Sequence, residues 1–279
     1  MNSRVVVITG GAGGMGRATA KVVGRDHAVV LADVRQDRLE QAAGELDDLG
    51  VACRAVNCDV TDRQAVDALL TTAAGLGMLA SVIHTAGVSP TMGTADYVMR
   101  TNAIGTLNVN ESFFALAEAG AAIVNVASMA AHMLPESMIP TAQFPQALID
   151  EDAFMADMLA ACAIVPEEMR SGIAYAVSKS FVRWYAVAQC ERFNGKGLRI
   201  LSVSPGSIET EMGLLEAESG AGALVADAAV PRWGRPEEMA ELLAFCAGDK
   251  AGYLTGTDIL NDGGVVASIT ERARKSADG

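Results

Sequence analysis

The first residues of this chain run from a β-branched stretch through a glycine turn into a helix, and that order limits what the rest can fold into. Arg4 to Ile8 has the pattern of a buried parallel strand. Thr9-Gly10-Gly11-Ala12-Gly13-Gly14-Met15-Gly16 follows, and then a helical pattern over Arg17 to Val23. Glycines permit positive φ and let the backbone approach a pyrophosphate closely. The helix start offers free N–H groups and the positive end of a dipole. Two spacings fit, Gly11-x-Gly13-x-x-Gly16 and Thr9-Gly10-x-x-x-Gly14-x-Gly16. Their place between strand and helix gives them weight that glycines alone would not have.

The alternation continues along the chain. Ala28 to Asp33 is a second apolar strand, and Asp37 to Leu49 a helix. Val51 to Val56 is a third strand, leading to Asp59 and Val60 at a strand end, where ligands collect in doubly wound sheets. Asp62 is placed to cap a helix over Arg63 to Ala74. Leu79 to His84 is a fourth strand, with Thr85-Ala86-Gly87 after it. A long helical stretch, Ala95 to Ala119, carries Asn102 inside it. Asn is slightly unfavourable there, so Asn102 needs a solvent face or a task. Ala121 to Ala127 is a fifth strand that delivers Ser128 at its C-terminal end. Leu198 to Val203 is a sixth, followed by Pro205, Gly206, Ile208 and Thr210. Thr257 to Leu260 is a short seventh. The charged tail after Ala267 is expected to fray. This predicts one α/β domain over 1–279, a doubly wound Rossmann arrangement of about seven parallel strands with helices on both faces.

Two chemical features stand on this frame. Asp33 ends the second strand, where a carboxylate can accept from the adenosine ribose hydroxyls and repel a 2′-phosphate. No Arg or Lys occupies 10–16, which favours NAD(H) over NADP(H), with Arg35 and Arg38 nearby as the contrary signal. A plainer role for Asp33 is to cap the helix starting near Gln36. Tyr175 and Lys179 lie four apart on a stretch from Ile173 to Arg192 that has neither Gly nor Pro. They therefore share one helix face, about a turn apart. A Tyr with reference pKa near ~10 is a poor acid or base at neutral pH. A neighbouring cation lowers that pKa, so the pair can act as a proton-transfer device.

Charge and cysteine usage narrow the partners. There are 34 acidic and 21 basic residues, a formal net charge of −13. That lacks the basic face a nucleic acid requires. Cys53, Cys58, Cys162, Cys190 and Cys246 form no Cys-x-x-Cys and no ligand cluster with the three histidines. No metal site is expected, and the thiols read as reduced in a cytoplasmic protein. No stretch approaches the ~20 apolar residues of a membrane span, so no membrane partner is expected.

The ordered set resembles the single-domain short-chain dehydrogenase/reductase family from Val5 to about Gly264. Its stations are Thr9-Gly10-x-x-x-Gly14-x-Gly16, Asp59-Val60, Ala86-Gly87, Asn102, Ser128, Tyr175-x-x-x-Lys179, Pro205-Gly206 and Asp262-Gly263-Gly264. The resemblance implies Tyr175 as general acid/base and Lys179 as its pKa modulator and holder of the nicotinamide ribose. It implies Ser128 as the group that orients the substrate oxygen and Asn102 as holder of a relay water. Gly10, Gly13 and Met15, in one loop with Gly14 and Gly16, would line the pyrophosphate. Asp33 would meet the adenosine ribose, Asp59 and Val60 the adenine, and Thr85, Ala86 and Gly87 the adenine-side ribose. Pro205, Gly206 and Ile208 would fix the nicotinamide, with Thr210 nearby. The implied activity is NAD(H)-dependent interconversion of a secondary alcohol and a ketone by a homodimer or homotetramer. Reduction of a 3-oxoacyl thioester, a small-alcohol dehydrogenase and a non-catalytic NAD-sensing regulator are the alternatives.

Two departures stand out. His84-Thr85-Ala86-Gly87 replaces the usual Asn-Asn-Ala-Gly, and His84 is expected to be a satisfied strand-end residue. Ser128 and Tyr175 are separated by 46 residues where the family has far fewer. An insertion here resembles the bacterial 3α-hydroxysteroid dehydrogenase/carbonyl reductase subgroup. Residues 132–172 are rich in Met and Pro, and are expected to form a helical lid over the nicotinamide for a bulky apolar substrate such as a hydroxysteroid, or else a packing element. A substrate loop is expected at about 207–230.

Overall fold

The computed structural model describes residues 4–217 and 222–278. Seven strands form one sheet: β1 (Arg4–Thr9), β2 (Ala28–Asp33), β3 (Cys53–Asn57), β4 (Met78–His84), β5 (Ala122–Val126), β6 (Arg199–Pro205) and β7 (Asp258–Asn261). Every pairing is parallel, in the order β3-β2-β1-β4-β5-β6-β7. Successive strand residues point to opposite faces, and the core divides accordingly. On one face, Val5 and Val7 join buried residues of α3 (Arg63–Leu76), α4 (Ala95–Met99), α5 (Gly105–Leu116) and α7 (Glu167–Ala188). On the other, Val6 and Ile8 meet α1 (Gly14–Val23), α2 (Gln36–Asp48) and α11 (Pro236–Ala247). The strands are apolar on both sides because both sides are covered, which is why they read as continuous apolar runs.

Three elements differ from the sequence expectation. The helix carrying Tyr175 and Lys179 begins at Glu167, ahead of the Gly- and Pro-free stretch from Ile173, and ends at Ala188, one helix of 22 residues. Gly172 does not interrupt it, since an added Cβ there would meet nothing within 4 Å. The stretch from Ala95 is helical but widens into a π turn at Arg100–Ile104, around Asn102. The tail does not fray: Val265–Asp278 is α12, tied by Arg272 to Asp227 on α10 (Gly222–Asp227) at 2.8 Å.

The insertion folds as 3₁₀ turns at Glu136–Met138 and Thr141–Leu148, followed by α6 (Glu151–Cys162). Asp150 caps α6 by accepting from Ala153 N at 3.0 Å. Phe144, Phe154, Met155 and Met158 are buried in the same core as Phe181 of α7. Beyond β6 lie α9 (Glu211–Leu215) and α10; residues 218–221 of the expected substrate loop lie outside the described residues. The helix α8 (Cys190–Asn194) completes the inventory named here. Burial pushes the Cys53, Cys58, Cys162 and Cys246 thiols up to about 11. Among the described residues no helix is long and apolar enough to cross a membrane.

Candidate active site

The sheet order reverses between β1 and β4, so the loops after these strands part at the carboxyl edge and leave a crevice. Gly10 turns there with φ +66°, and a Cβ on it would lie 2.7 Å from Ala86 N. A Cβ on Gly16 would lie 2.3 Å from Gly10 O. Helix α1 can therefore start against the loop only because no side chain intervenes. Its N-cap, Gly13, supplies no side-chain hydrogen bond, which leaves the first-turn N–H groups without a side-chain cap. That donor set fits an anionic pyrophosphate.

The crevice opens into a cavity of about 980 Å³. Gly10, Gly13, Gly14, Met15 and Gly16 line it with Thr85 and Gly87. Ser128, Tyr175 and Lys179 form its inner wall, and Pro205, Gly206, Ile208 and Thr210 the opposite one. Asp33, Asp59, Val60 and Ala86 do not line it. Asp33 accepts from Ala12 N (3.2 Å) and Arg35 N (3.1 Å). It does not cap α2, whose N-cap is Arg35. Asp59 Oδ1 accepts from Thr61 N (2.9 Å) and Thr61 Oγ1 (2.8 Å). Arg17, Arg35, Arg38 and Gln41 line that end of the cavity instead. Arg17 pairs with Glu45, and Arg38 with both oxygens of Glu211, one of them at 2.8 Å.

Helix α7 and the turn after β5 bring the reactive groups together. Ser128 caps the turn Met129–His132 by accepting from Ala130 N at 3.2 Å, and its hydroxyl shares the cavity wall with the Tyr175 phenol, near enough to favour the phenolate. Burial raises the Tyr175 pKa, the Ser128 hydroxyl opposes that rise, and the Glu216 carboxylate adds to it. The expected lowering by Lys179 is not what the geometry gives. Lys179 Nζ donates to Val126 O at 2.9 Å and sits 5.9 Å from the centroid of the Tyr175 ring. Burial lowers the ammonium's own pKa to about 8.

Asn102 stands behind the cavity. Its Oδ1 accepts from Val88 N (2.9 Å), and its Nδ2 donates to Val88 O (3.0 Å) and Ser178 Oγ (3.3 Å). A Cβ on Gly87 would lie 3.0 Å from Asn102 Oδ1 and 3.3 Å from Lys179 Nζ. Gly87 thus keeps open the gap between the two. His84 is satisfied, as its strand-end position suggested. Thr106 Oγ1 gives its proton to Asn102 O (2.7 Å), so it accepts from His84 Nε2 (3.1 Å), and Thr9 Oγ1 must donate to His84 Nδ1 (2.7 Å). Burial and then the Lys179 charge lower the His84 pKa to about 3, so the ring is neutral.

The expected lid is largely elsewhere. Within 132–172 only Met133 lines the cavity; Met155 and Met158 lie on the buried face of α6, and Met169 is exposed. The physical reason is that Phe144 and Phe154 dock on Phe181, with ring centroids 5.5 and 5.0 Å apart. The apolar cover comes from Met92, Met129, Leu215, Leu224 and Trp233. Helix α9 crosses this end, pinned through Glu211 to Arg38 and through Glu216, whose Oε1 accepts from Thr91 N (3.3 Å) and Thr91 Oγ1. Glu216 and Trp233 carry no motif signal, so the sequence alone does not pick them out. Among the described residues no group of three or more His, Cys, Asp or Glu gathers to hold a metal ion.

Comparison with known proteins agrees with the fold. The family model described as short chain dehydrogenase matches residues 4–140, and the one described as Enoyl-(Acyl carrier protein) reductase matches 155–266. The short-chain dehydrogenase/reductase bsc3 of Alternaria brassicicola is 30% identical over 275 residues, covering 96% of this chain and 97% of its own. A cyclohexanol dehydrogenase of an Acinetobacter species is 25% identical, covering 94% of each chain. The crystal structure of a dehydrogenase/reductase from Sinorhizobium meliloti superposes with TM-score 0.76 at 22% identity, covering 95% of this chain and 96% of that one.

Proposed function

The chain belongs to the short-chain dehydrogenase/reductase family, and from that premise we propose that it interconverts a secondary alcohol and a ketone with NAD(H), on a bulky apolar substrate such as a hydroxysteroid. The observation that carries the reading is that Ser128, Tyr175 and Lys179 line one cavity together with an uncapped, glycine-lined helix start.

When bound, the nicotinamide supplies the hydride acceptor or donor. Tyr175 holds the proton that enters or leaves the substrate oxygen. In alcohol oxidation the phenolate accepts the hydroxyl proton; in ketone reduction the phenol donates it. Ser128 orients that oxygen and stabilises charge on it. Lys179 holds the nicotinamide ribose and passes protons across the gap at Gly87 to a water near Asn102. Its pKa of about 8 supports a proton-carrying role near neutral pH. Gly10, Gly13, Gly14, Met15 and Gly16 hold the pyrophosphate, Thr85 and Gly87 the ribose, and Pro205, Gly206, Ile208 and Thr210 the nicotinamide; Ala86, Asp59 and Val60, which stand off the cavity lining, shape the adenine end from behind it.

NAD is favoured by Asp33 at the end of β2 and by the engagement of Arg17 with Glu45 and Arg38 with Glu211. The specific observation favouring NADP is that Arg17, Arg35 and Arg38 line the same end of the cavity. An apolar substrate is supported by Met92, Met129, Met133, Leu215, Leu224 and Trp233, and by a relative named for a cyclic alcohol. Free thiols support a reducing, cytoplasmic setting. Assembly into two or four copies completes the proposal and is read by light scattering.

The test is turnover of cyclohexanol and of hydroxysteroids with NAD⁺ and NADP⁺, by wild type and Tyr175→Phe. The variant is expected to lose roughly 10²–10⁴ in kcat while cofactor affinity stays within a few-fold. A Tyr175→Phe enzyme as active as wild type would overturn the assignment. Preference for NADP⁺ would transfer the cofactor choice from Asp33 to the arginines.

A further inference from the structure

Outside the cavity, one carboxylate gathers three of its walls. Asp258 opens β7, and its side chain is only 7% exposed. Ser202 and Ser204 of β6 donate to it: Ser202 Oγ to Oδ1 at 2.5 Å, and Ser204 Oγ to Oδ1 at 3.0 Å and Oδ2 at 2.9 Å. His132 Nε2 meets Oδ2 at 2.8 Å. A carboxylate only accepts, so that ring nitrogen carries the proton. Arg183 Nε lies 3.7 Å from Oδ2, and Arg183 NH1 donates to Ala131 O at 2.8 Å. Burial pushes the Asp258 pKa up, but the hydrogen bonds from His132, Ser202 and Ser204 outweigh it and leave the carboxyl below its usual range. It is a charged, fully engaged group, and truncating one partner of such a group is costly.

What converges there is informative. His132 ends the 3₁₀ turn that Ser128 begins. Arg183 is one helical turn beyond Lys179 on α7. Ser204 immediately precedes Pro205 and Gly206. The Ser128 turn is held from two sides, by Asp258 through His132 and by α7 through Arg183. We propose that His132, anchored on Asp258 and flanked by Arg183, is a positioning residue that keeps the Ser128 hydroxyl facing the cavity beside Tyr175. The cluster touches neither substrate nor cofactor, and it acts through the angle of one short turn. A 3₁₀ turn has little stiffness of its own, so its last residue sets where its first one points. This inference rests on the catalytic reading of Ser128 and Tyr175.

The test is a double-mutant cycle on the full chain with cyclohexanol and NAD⁺, or whichever alcohol of the panel the wild type oxidises. His132 is the better target, since its side chain is 19% exposed while Asp258 is buried. His132→Ala is expected to lower kcat at least tenfold, with cofactor affinity within twofold and the alcohol KM little changed. His132→Gln, which can again donate to Asp258, is expected to recover most of the loss. In a Ser128→Ala background, His132→Ala should cost less than twofold more, because the group it positions is gone. An equal fall in both backgrounds means a general structural role and overturns the proposal. So does an unchanged kcat in His132→Ala. If Ser128→Ala itself is harmless, the catalytic reading fails instead. A substrate-free arm settles the geometry: a crystal structure of His132→Ala should show the Ser128 turn shifted and its hydroxyl turned from Tyr175 relative to wild type, and an unmoved Ser128 refutes the clamp.

Discussion

Replacing Phe154 by Ala tests whether the insertion is core or lid. Phe154 is fully buried, with its ring 5.0 Å from Phe181, which in turn meets Phe144 at 5.5 Å. No atom of it borders the cavity. A buried Phe→Ala change costs about 3–5 kcal/mol, transfer plus residual cavity. Unfolding entropy is about 2.1 cal/mol/K per residue, or about 0.6 kcal/mol/K for 279 residues. The melting midpoint should therefore fall by about 5–8 °C. Urea titration should show the same loss without a change in slope. Kinetics at a temperature where the variant is fully folded should give an alcohol KM within twofold of wild type. The reasoning is refuted by the reverse pattern: a midpoint within one degree and a KM raised tenfold or more. That would mean α6 rests loosely on α7 and closes over substrate.

Three further outcomes follow from named contacts. Lys179→Met should stabilise the protein at pH 7 by about 3 kcal/mol, since the buried ammonium titrates near 8 against 10.5 when exposed. The unfolded chain holds that proton longer, so wild-type stability climbs from pH 8 to 10.5 and the advantage of the variant shrinks over that window; parallel stability curves would contradict this. His84→Asn should lessen acid sensitivity: the unfolded imidazole takes a proton below 6.5 while the native one waits until about 3, which costs the wild type about 3 kcal/mol by pH 4. Denaturant midpoints of the two proteins at pH 7 and pH 4 measure it, and an unchanged difference would sink it. Gly16→Ala puts a Cβ 2.3 Å from Gly10 O, which α1 can relieve only by moving away, at about 1–3 kcal/mol. Calorimetric cofactor affinity should fall at least tenfold, and unaltered binding would show that the helix start is not the pyrophosphate site.

The parallel sheet was legible because its strands are covered on both faces, so Val5 to Ile8 and Val29 to Ala32 read as unbroken apolar runs. Asp62 was legible as a cap because capping is local: it accepts from Gln64 N at 2.8 Å, two residues away. Lys179 was readable as a neighbour of Tyr175, but its acceptor, Val126 O, lies 53 residues back and nothing local points to it. The Met-rich insertion was ambiguous for a different reason. A lid and a core element need the same apolar side chains, and only the tertiary partner, Phe181, decides between them. The tail after Ala267 looked frayed because its charges dominate the pattern; the anchor of its Arg272, Asp227, sits 45 positions upstream. His132 and Asp258, 126 residues apart, belong to the same class of long-range pairing.

Helix α9 is fastened across the cavity mouth by side chains that face water. Arg38 and Glu211 are 35% and 65% exposed, so their attraction is weak and falls off over a Debye length of about 8 Å at physiological ionic strength. A hinge pin of that kind makes the doorway a property of the medium as well as of the chain. Raising ionic strength should speed the exchange of whatever fills the cavity, while Ser128 and Lys179, buried in its wall, keep the chemical step at its own pace.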